Sequence, residues 1–221
     1  MKKQFFLLAW CLWAMTVFAQ QVTLQKRFFT IHFDESKKVS IYTKYILSKD
    51  HLPKDKVART DFAPDPDEDA AKQASDATYE SDKNVDPRNP KKGHRKYDKG
   101  HLAPDADFKF STEAEKQTML YTNAAPQYWN FNEKGWSRLE AHVRDLCLAN
   151  GDLTVYTGCI YGTARLNGIP IPTFYWKVVL YKNKKLEYQG KNVFSDNTDW
   201  TVYEIDNGTV ERETGLTFGA N

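Results

Sequence analysis

One histidine in the middle of the chain has the neighbours that acid–base chemistry requires. The segment from Tyr97 to Phe110, YDKGHLAPDADFKF, places His101 directly after Gly100. A neutral imidazole, with its ordinary pKa of about 6.5, can take a proton from water at neutral pH. Gly100 lets the backbone bend or approach a ligand closely, and Asp98 is a candidate partner for orienting the ring. Because single histidines are more often structural than catalytic, this segment alone predicts only a candidate base.

The residues just before His101 are strongly basic. Between Arg88 and His101 the formal charge is +5, in a chain whose total is +2. Lys2 and Lys3 account for that total, so residues 20–221 sum to zero and the evidence for a polyanionic partner must be local. A local positive field attracts polyanions and concentrates them near His101, whereas the alternative is a solvated basic loop. The cations of this run are Arg88, Lys91, Lys92, Arg95, Lys96 and Lys99.

A second segment supplies oxygen donors. LYTNAAPQYWNFNEKGWSRLE contains Asn123, Asn132 and Glu140. If a helix begins near Asn132, Glu140 lies two turns and about 80° further on, so the two side chains can flank one site. Oxygen donors that carry little charge and leave room for water suit Mg²⁺. Each asparagine could instead be a cap or turn residue, and a His94/His101 metal pair is a weaker alternative, because no further Cys/His cluster has zinc spacing.

Both segments resemble the active-site motifs of the DNA/RNA non-specific endonucleases, the ββα-metal nucleases related to endonuclease G. DKGHLAPDA is similar to the Asp-Arg-Gly-His motif of that family. TNAAPQ is similar to its Ser-Asn-x-x-Pro-Gln segment, and FNEKGWSRLE to the following segment, which ends in Trp-x-x-Leu-Glu. ARTDFAPDP resembles an arginine-containing segment ahead of the family's long loop, and VERETGLTF a family ending. The likeness extends from Phe28 to Phe218, and two motifs in the right order make it specific.

The resemblance implies a role for each matching residue. His101 falls on the family's general base, Asn132 on the asparagine that ligates the single divalent metal, and Glu140 on the glutamate of that metal's water shell. Asn123 falls on an asparagine with a supporting catalytic role, and Arg59 is the best match for the phosphate-binding arginine. The implied cofactor is Mg²⁺, with Mn²⁺ as the alternative ion.

One position departs from the family pattern. Lys99 stands where the family usually has arginine, so the charge is kept but the bidentate fork to phosphate is lost. We expect Lys99, Arg59 and Arg95 to bind the substrate, the first two also stabilising charge at the reacting phosphate. The implied reaction is the hydrolysis of phosphodiester bonds in DNA and RNA to give 5′-phosphate ends. Little sequence preference is expected, because contacts to phosphate carry no base information.

Other functions remain open at the level of sequence. One alternative is a catalytically inactive nucleic-acid-binding protein of the same fold, against which the intact set of His101, Asn132 and Glu140 argues. A metal phosphodiesterase with a narrower substrate and an exported structural protein with a basic loop are further alternatives. The sequence is compatible with either a monomer or a homodimer.

The N-terminal residues predict export. Two lysines precede an apolar run from Phe5 to Ala19, which is shorter than the ~20 residues needed to span a bilayer. Residues 1–19 are therefore predicted to be a signal peptide, and the remaining protein to be periplasmic or secreted, with no membrane segment. In an oxidising compartment Cys147 and Cys159 could form a disulfide; two buried thiols are the alternative.

The order of predicted elements, with strands on either side of a helical centre, predicts a single α+β domain over residues 20–221. Two strands are expected within Phe28–Ser48, on either side of the turn Asp34-Glu35-Ser36. A long polar surface loop follows at 61–89, then helices over Ser111–Asn123 and Asn132–Gly151. Strands return over 153–162, 173–182 and 186–195. We expect a central antiparallel sheet with helices, and the resemblance adds a ββα-metal active-site motif.

Overall fold

The computed structural model describes residues 20–52, 57–91 and 93–219. The predicted signal peptide, residues 1–19, lies outside these ranges, as does Lys92 of the basic run. Within the described ranges, no helix has the length and apolar character needed to cross a membrane.

The body of the protein is an antiparallel sheet. Its seven strands follow the spatial order β1 (Gln21–Gln25), β2 (Phe29–Asp34), β3 (Val39–Leu47), β6 (Leu153–Leu166), β7 (Ile169–Tyr181), β8 (Lys184–Lys191) and β9 (Glu204–Ile205). A separate two-stranded sheet consists of β4 (Tyr97–His101) and β5 (Ala124–Tyr128). The predicted central antiparallel sheet is confirmed, and β2 and β3 are the two strands expected around the Asp34–Ser36 turn.

The hairpin of β6 and β7 is longer than predicted. Asn167 and Gly168 form its turn, with φ angles of 44° and 93°, the left-handed values that a two-residue hairpin requires. Between Ile160 and Arg165 the pairing register shifts twice. These irregularities break the alternation of side chains, so the pattern predicted the end of the strand at the bulge instead of at the turn.

Among the described residues, the helices are short apart from one. They are α1 (Asp76–Tyr79), α2 (Thr112–Thr118), α3 (Trp129–Phe131), α4 (Ser137–Asn150) and α5 (Thr209–Thr214), with 3₁₀ turns at Lys49–His51, Ala70–Lys72, Asp105–Asp107, Tyr121–Asn123 and Trp200–Tyr203. The predicted helix over Ser111–Asn123 is present as α2, and Ser111 caps it by accepting a hydrogen bond from the backbone N–H of Ala114.

A π-helical turn joins α3 to α4. It covers Asn132–Trp136, so the three segments form one continuous helical rod from Trp129 to Asn150. Gly135 lies within this turn, where a Cβ atom would stand 2.0 Å from the hydroxyl of Tyr203. A side chain at this position would therefore force the rod away from its neighbour, and π turns often mark functional positions.

The rod buries one face against the large sheet. Trp136, Leu139, Val143 and Cys147 are almost completely buried, with the spacing of a helix face that packs on a core. Cys147 and Cys159 are separate buried thiols, so the disulfide is not formed and the free-thiol alternative is correct. Burial raises the pKa of Cys147 to about 11, which keeps this thiol protonated and unreactive at neutral pH.

The segment 61–89 differs from the predicted solvated loop. Asp65 is completely buried in an ion pair with Lys26, and it accepts a hydrogen bond from the Thr122 hydroxyl at 2.5 Å. The segment also contains α1, whose Tyr79 is fully buried. The polar composition of this segment predicted a solvated loop. Composition could not show that Lys26, which directly follows β1, would neutralise Asp65.

Candidate active site

The strands β4 and β5 and the helical rod that follows them form a ββα unit beside a cleft of about 850 Å³. Six of the seven residues predicted for the site line this cleft. They are Arg59, Arg95, Lys99, His101, Asn132 and Glu140. The seventh, Asn123, is fully buried and lies outside its lining. The tertiary structure therefore brings together residues that are spread over about 80 positions of the sequence.

The position of His101 depends on close contact between the two small strands. His101 pairs with Ala124, and Gly100 with Ala125. A Cβ atom on Gly100 would lie only 2.3 Å from the side-chain oxygen of Gln127. Gln127 is itself completely buried, so it has little room to move. The glycine predicted to allow a close approach therefore allows β4 to approach β5, which places His101 at the cleft.

The surroundings of His101 keep its imidazole neutral. Burial lowers its pKa to about 4, with Arg59 and Lys109 acting in the same direction and Asp105 opposing them. Its Nε2 atom lies 3.2 Å from the sulfur of Met119, and its ring lies 4.9 Å from the ring of Phe62 between centroids. The imidazole is therefore unprotonated at neutral pH, as a general base requires.

The sequence suggested that Asp98 orients the His101 ring. In the structure Asp98 is instead hydrogen-bonded to Asn132. The side-chain Nδ2 of Asn132 donates to Oδ2 of Asp98 at 2.9 Å. Burial raises the pKa of Asp98, and this hydrogen bond from Asn132 opposes the shift. The amide orientation that satisfies Asp98 leaves Oδ1 of Asn132 as the acceptor that can bind a cation.

Asn123 holds the chain that follows His101. Its Oδ1 accepts from the backbone N–H of Ala103, and its Nδ2 donates to the backbone oxygens of Ala103 and Thr118, each at 2.9 Å. Both polar atoms of the Asn123 side chain are thus used in hydrogen bonds that connect the residues after β4 to the segment before β5. This geometry supports a positioning role for Asn123, in place of contact with the reacting groups.

Glu140 has charged neighbours that sequence patterns did not identify. Burial raises its pKa to about 7, while Lys177 lowers it and Asp107 raises it. Lys177 is almost completely buried on β7, where it donates to the hydroxyl of Thr157 at 2.6 Å, and burial lowers its pKa. One signal was available in the sequence: Lys177 is the single charge inside the apolar run TFYWKVVLY.

The cations predicted to bind phosphate already have carboxylate partners. Lys99 pairs with Asp76, Arg95 with Glu80 at 3.0 Å, and Arg59 with Asp105 at 3.8 Å. Among the described residues that line the cleft, four are lysine or arginine and seven are aspartate or glutamate. The positive field inferred from residues 88–101 is therefore offset by acids from other parts of the chain.

The donor set of the cleft fits a hard divalent cation. Asn132 offers an amide oxygen and Glu140 a carboxylate, and both are the oxygen ligands that Mg²⁺ prefers when it keeps several waters. The described residues contain no group of three or more His, Cys, Asp or Glu side chains arranged to hold a metal. A site of this kind therefore depends on the asparagine.

The chain is similar in sequence to several known nucleases. The salivary endonuclease of Lutzomyia longipalpis is 39% identical over 101 residues, which cover 39% of this chain and 24% of that protein. A nuclease of Syncephalastrum racemosum is 31% identical over 149 residues, covering 55% and 47%. Human mitochondrial endonuclease G is 29% identical over 98 residues, covering 38% and 33%. The chain thus spans from about a quarter to about half of the length of these relatives.

A solved structure and a family sequence model both match most of this chain. A solved structure of EndoG in complex with EndoGI superimposes with a TM-score of 0.75 at 24% identity, covering 89% of this chain and 84% of that one. The sequence model of the DNA/RNA non-specific endonucleases matches residues 14–221, nearly the entire chain. This chain belongs to the DNA/RNA non-specific endonuclease family.

Proposed function

We propose that the chain is an exported, metal-dependent endonuclease that hydrolyses phosphodiester bonds in DNA and RNA with little sequence preference. The products carry 5′-phosphate ends. The observation that carries this proposal is the presence, in one cleft, of a neutral His101 and an Asn132 whose amide is fixed by Asp98.

His101 acts as the general base on the attacking water. Its Nε2 lies against the Met119 sulfur, which can only accept a hydrogen bond, so the tautomer that satisfies this contact carries its proton on Nε2. Nδ1 is then the nitrogen that takes the proton from water. Because the pKa of His101 is lowered to about 4 by burial, this nitrogen is unprotonated over the whole neutral range.

Asn132 would ligate the divalent ion and Glu140 would hold it through its water shell; we assign the ion as Mg²⁺, with Mn²⁺ as a substitute. When bound, the ion neutralises the charge that develops on the phosphate and on the leaving 3′ oxygen. Asp98 keeps the Asn132 amide in the orientation that presents its oxygen. Glu140 must be ionised for this task, and the buried ammonium of Lys177 favours its ionised form.

Lys99, Arg59 and Arg95 bind the phosphates that flank the reacting bond. Their charges contact the backbone of the nucleic acid and carry no base information, which accounts for weak sequence preference. A lysine at position 99 makes a point-charge contact where arginine would make a bidentate one.

Export follows from the apolar leader predicted at residues 1–19 and agrees with the salivary origin in the name of one relative. Removal of the leader gives a chain of residues 20–221 that acts outside the cytoplasm, in a periplasm or in the surrounding medium. A homodimer is compatible with these features, and light scattering of the mature protein distinguishes it from a monomer.

The test compares the mature protein, residues 20–221, with a His101→Ala variant on plasmid DNA and on RNA, with Mg²⁺ or with EDTA. The expected result is degradation of both substrates by the wild type with Mg²⁺ only, 5′-phosphate on the products, and a loss of orders of magnitude in the folded variant. Binding without cleavage under every metal tried would instead support the inactive binding protein.

A further inference from the structure

Two cations beside the catalytic centre are engaged by carboxylates from one short segment. Asp76 begins α1, and Glu80 follows its last residue. Lys99 donates to the carboxylate of Asp76, and Arg95 donates to that of Glu80 at 3.0 Å. All four side chains line the cleft that contains His101. We refer to Asp76 and Glu80 as the carboxylate rim.

Helix α1, which positions the carboxylate rim, is held in place by the rest of the fold. Tyr79, on the same helix, is completely buried. The side chain of Asn84 donates to the backbone oxygen of Tyr79 at 2.8 Å. From the turn of the β6–β7 hairpin, Asn167 donates to the backbone oxygens of Ala77 and Thr78 at 3.0 and 3.2 Å. The carboxylates are therefore held in place from both sides and do not depend on a free loop.

The cation at the centre of this arrangement is equally restrained. The ammonium of Lys99 lies 5.3 Å from the ring centroids of Phe62 and Tyr121, and its side chain is only 13% exposed. The hydrogen bond from Lys99 lowers the pKa of Asp76, so that carboxylate is ionised at neutral pH. An incoming phosphate must consequently compete with an existing anion for the same ammonium.

We propose that Asp76 and Glu80 compete with phosphate for Lys99 and Arg95 and thereby limit the affinity of the cleft for nucleic acid. The inference rests on the proposed nuclease function. When a phosphate displaces a rim carboxylate, the released anion stays at the edge of the cleft and repels the polyanion. Each rim residue therefore weakens binding twice, through the ion pair that must break and through the charge left behind.

The same arrangement makes a prediction about salt. When a cation that is free before binding contacts a phosphate, one counterion of that phosphate is released. Each such contact makes the slope of log K against log salt concentration more negative by about 0.9 for duplex DNA. A cation that must first leave a carboxylate contributes less, because the freed carboxylate takes up a counterion. Removing the rim should therefore increase the affinity and steepen the salt dependence together.

The experiment measures equilibrium binding of a fluorescent DNA duplex in EDTA, where no cleavage occurs, and KM for cleavage with Mg²⁺. The proteins are the mature wild type, Asp76→Asn, Glu80→Gln and the double variant. The rim carboxylates are themselves exposed, so we expect each substitution to tighten binding by about two- to five-fold, the range for surface ion pairs, and to lower KM in proportion. The salt slope should become steeper by up to about 0.9 for each cation released.

Two controls separate competition at the rim from a general change of charge. Glu113→Gln removes the same charge from an exposed pair with Arg27, and Glu113 does not line the cleft. We expect this variant to bind as the wild type does. In a Lys99→Gln background, Asp76→Asn should tighten binding less than it does in the wild type, because only the repulsion by the carboxylate is left to relieve.

The outcomes are distinct from those that test the nuclease proposal. If the wild type neither binds nor cuts nucleic acid, the proposed function fails. If the wild type cuts but the rim variants bind and respond to salt as it does, only the rim inference is overturned. An equal gain for Asp76→Asn with and without Lys99, or for Glu113→Gln, also overturns it.

Discussion

Asn132 and Asp98 are joined by a hydrogen bond of 2.9 Å between the helical rod and strand β4, across 34 positions of the sequence. Asp98 thereby determines which end of the asparagine amide is available to the cleft. In the proposed function Asn132 ligates the metal, so Asp98 would be a partner of the kind that influences metal affinity without touching the ion.

Replacement of this orienting carboxylate should weaken metal binding. In Asp98→Ala the Asn132 amide can rotate, and we expect the Mg²⁺ concentration for half-maximal activity to rise by about 10- to 100-fold. The direct measurement is a calorimetric titration of the folded variant with Mg²⁺. Asp82→Ala, at an exposed acid that does not line the cleft, is the matched control. Unchanged metal affinity in Asp98→Ala would show that Asn132 is oriented by other contacts.

Protonation of His101 should reduce the stability of the fold in acid. Burial lowers its pKa from the ordinary 6.5 to about 4, so the unfolded chain takes up the proton first as the pH falls. The stability due to the neutral ring is complete above about pH 6.5 and is lost as the pH falls towards 4. His101→Asn removes this titration.

Urea unfolding at several pH values measures the effect. Between pH 6.5 and 4, the wild type should lose up to about 3 kcal/mol more of its unfolding free energy than His101→Asn does. Taking the difference between the two proteins cancels the titration of groups that they share. Parallel pH curves would mean that the ring is not desolvated as the geometry implies.

Lys177 should influence the pH at which metal activates the protein. Its buried ammonium lowers the pKa of Glu140, which burial raises to about 7. In Lys177→Met that opposition is gone, the pKa of Glu140 rises further, and a higher pH is needed to ionise the carboxylate. The Mg²⁺-dependent rate should increase as Glu140 ionises, and we expect this increase to occur at a higher pH in Lys177→Met than in the wild type.

The control for this substitution is Lys191→Met, which removes an exposed lysine at the end of β8, outside the cleft lining. Circular dichroism of both variants checks that the buried substitution leaves the fold intact. An unchanged pH profile in folded Lys177→Met would exclude an electrostatic effect of this lysine on the site.

A methyl group at position 100 should disturb both stability and activity. In Gly100→Ala the added Cβ would meet the Gln127 side chain at 2.3 Å, and overpacking of this kind costs about 1–3 kcal/mol. Movement of β4 away from β5 also displaces His101, so kcat should fall. Gly219→Ala, where nothing lies within 4 Å of the added Cβ, is the control for the same change elsewhere. The double variant Gly100→Ala/Gln127→Ala should recover part of the stability, and its failure to do so would exclude this contact as the cause.

The order and nature of the main site residues could be predicted from sequence. His101 and Asn132 lie in short motifs, and the elements that carry them follow from local patterns: β-branched and aromatic alternation for the strands, and the spacing of Trp136, Leu139 and Val143 for the rod. Local patterns suffice for these features because strand and helix periodicity are set by residues close together in the chain. The α+β class and the antiparallel sheet followed for the same reason.

The partners of those residues were decided by the tertiary structure. Asp76 meets Lys99 from 23 positions away, and Lys177 approaches Glu140 of the helical rod from strand β7. Nothing in the neighbouring sequence marks these pairs, because a side chain's partner depends on which segments pack together and in which register. The sequence by itself determined a candidate base, two oxygen donors and a basic run. Only the packing of distant segments decided that the base is neutral, that one donor is oriented by Asp98, and that the cations of the cleft already have carboxylate partners.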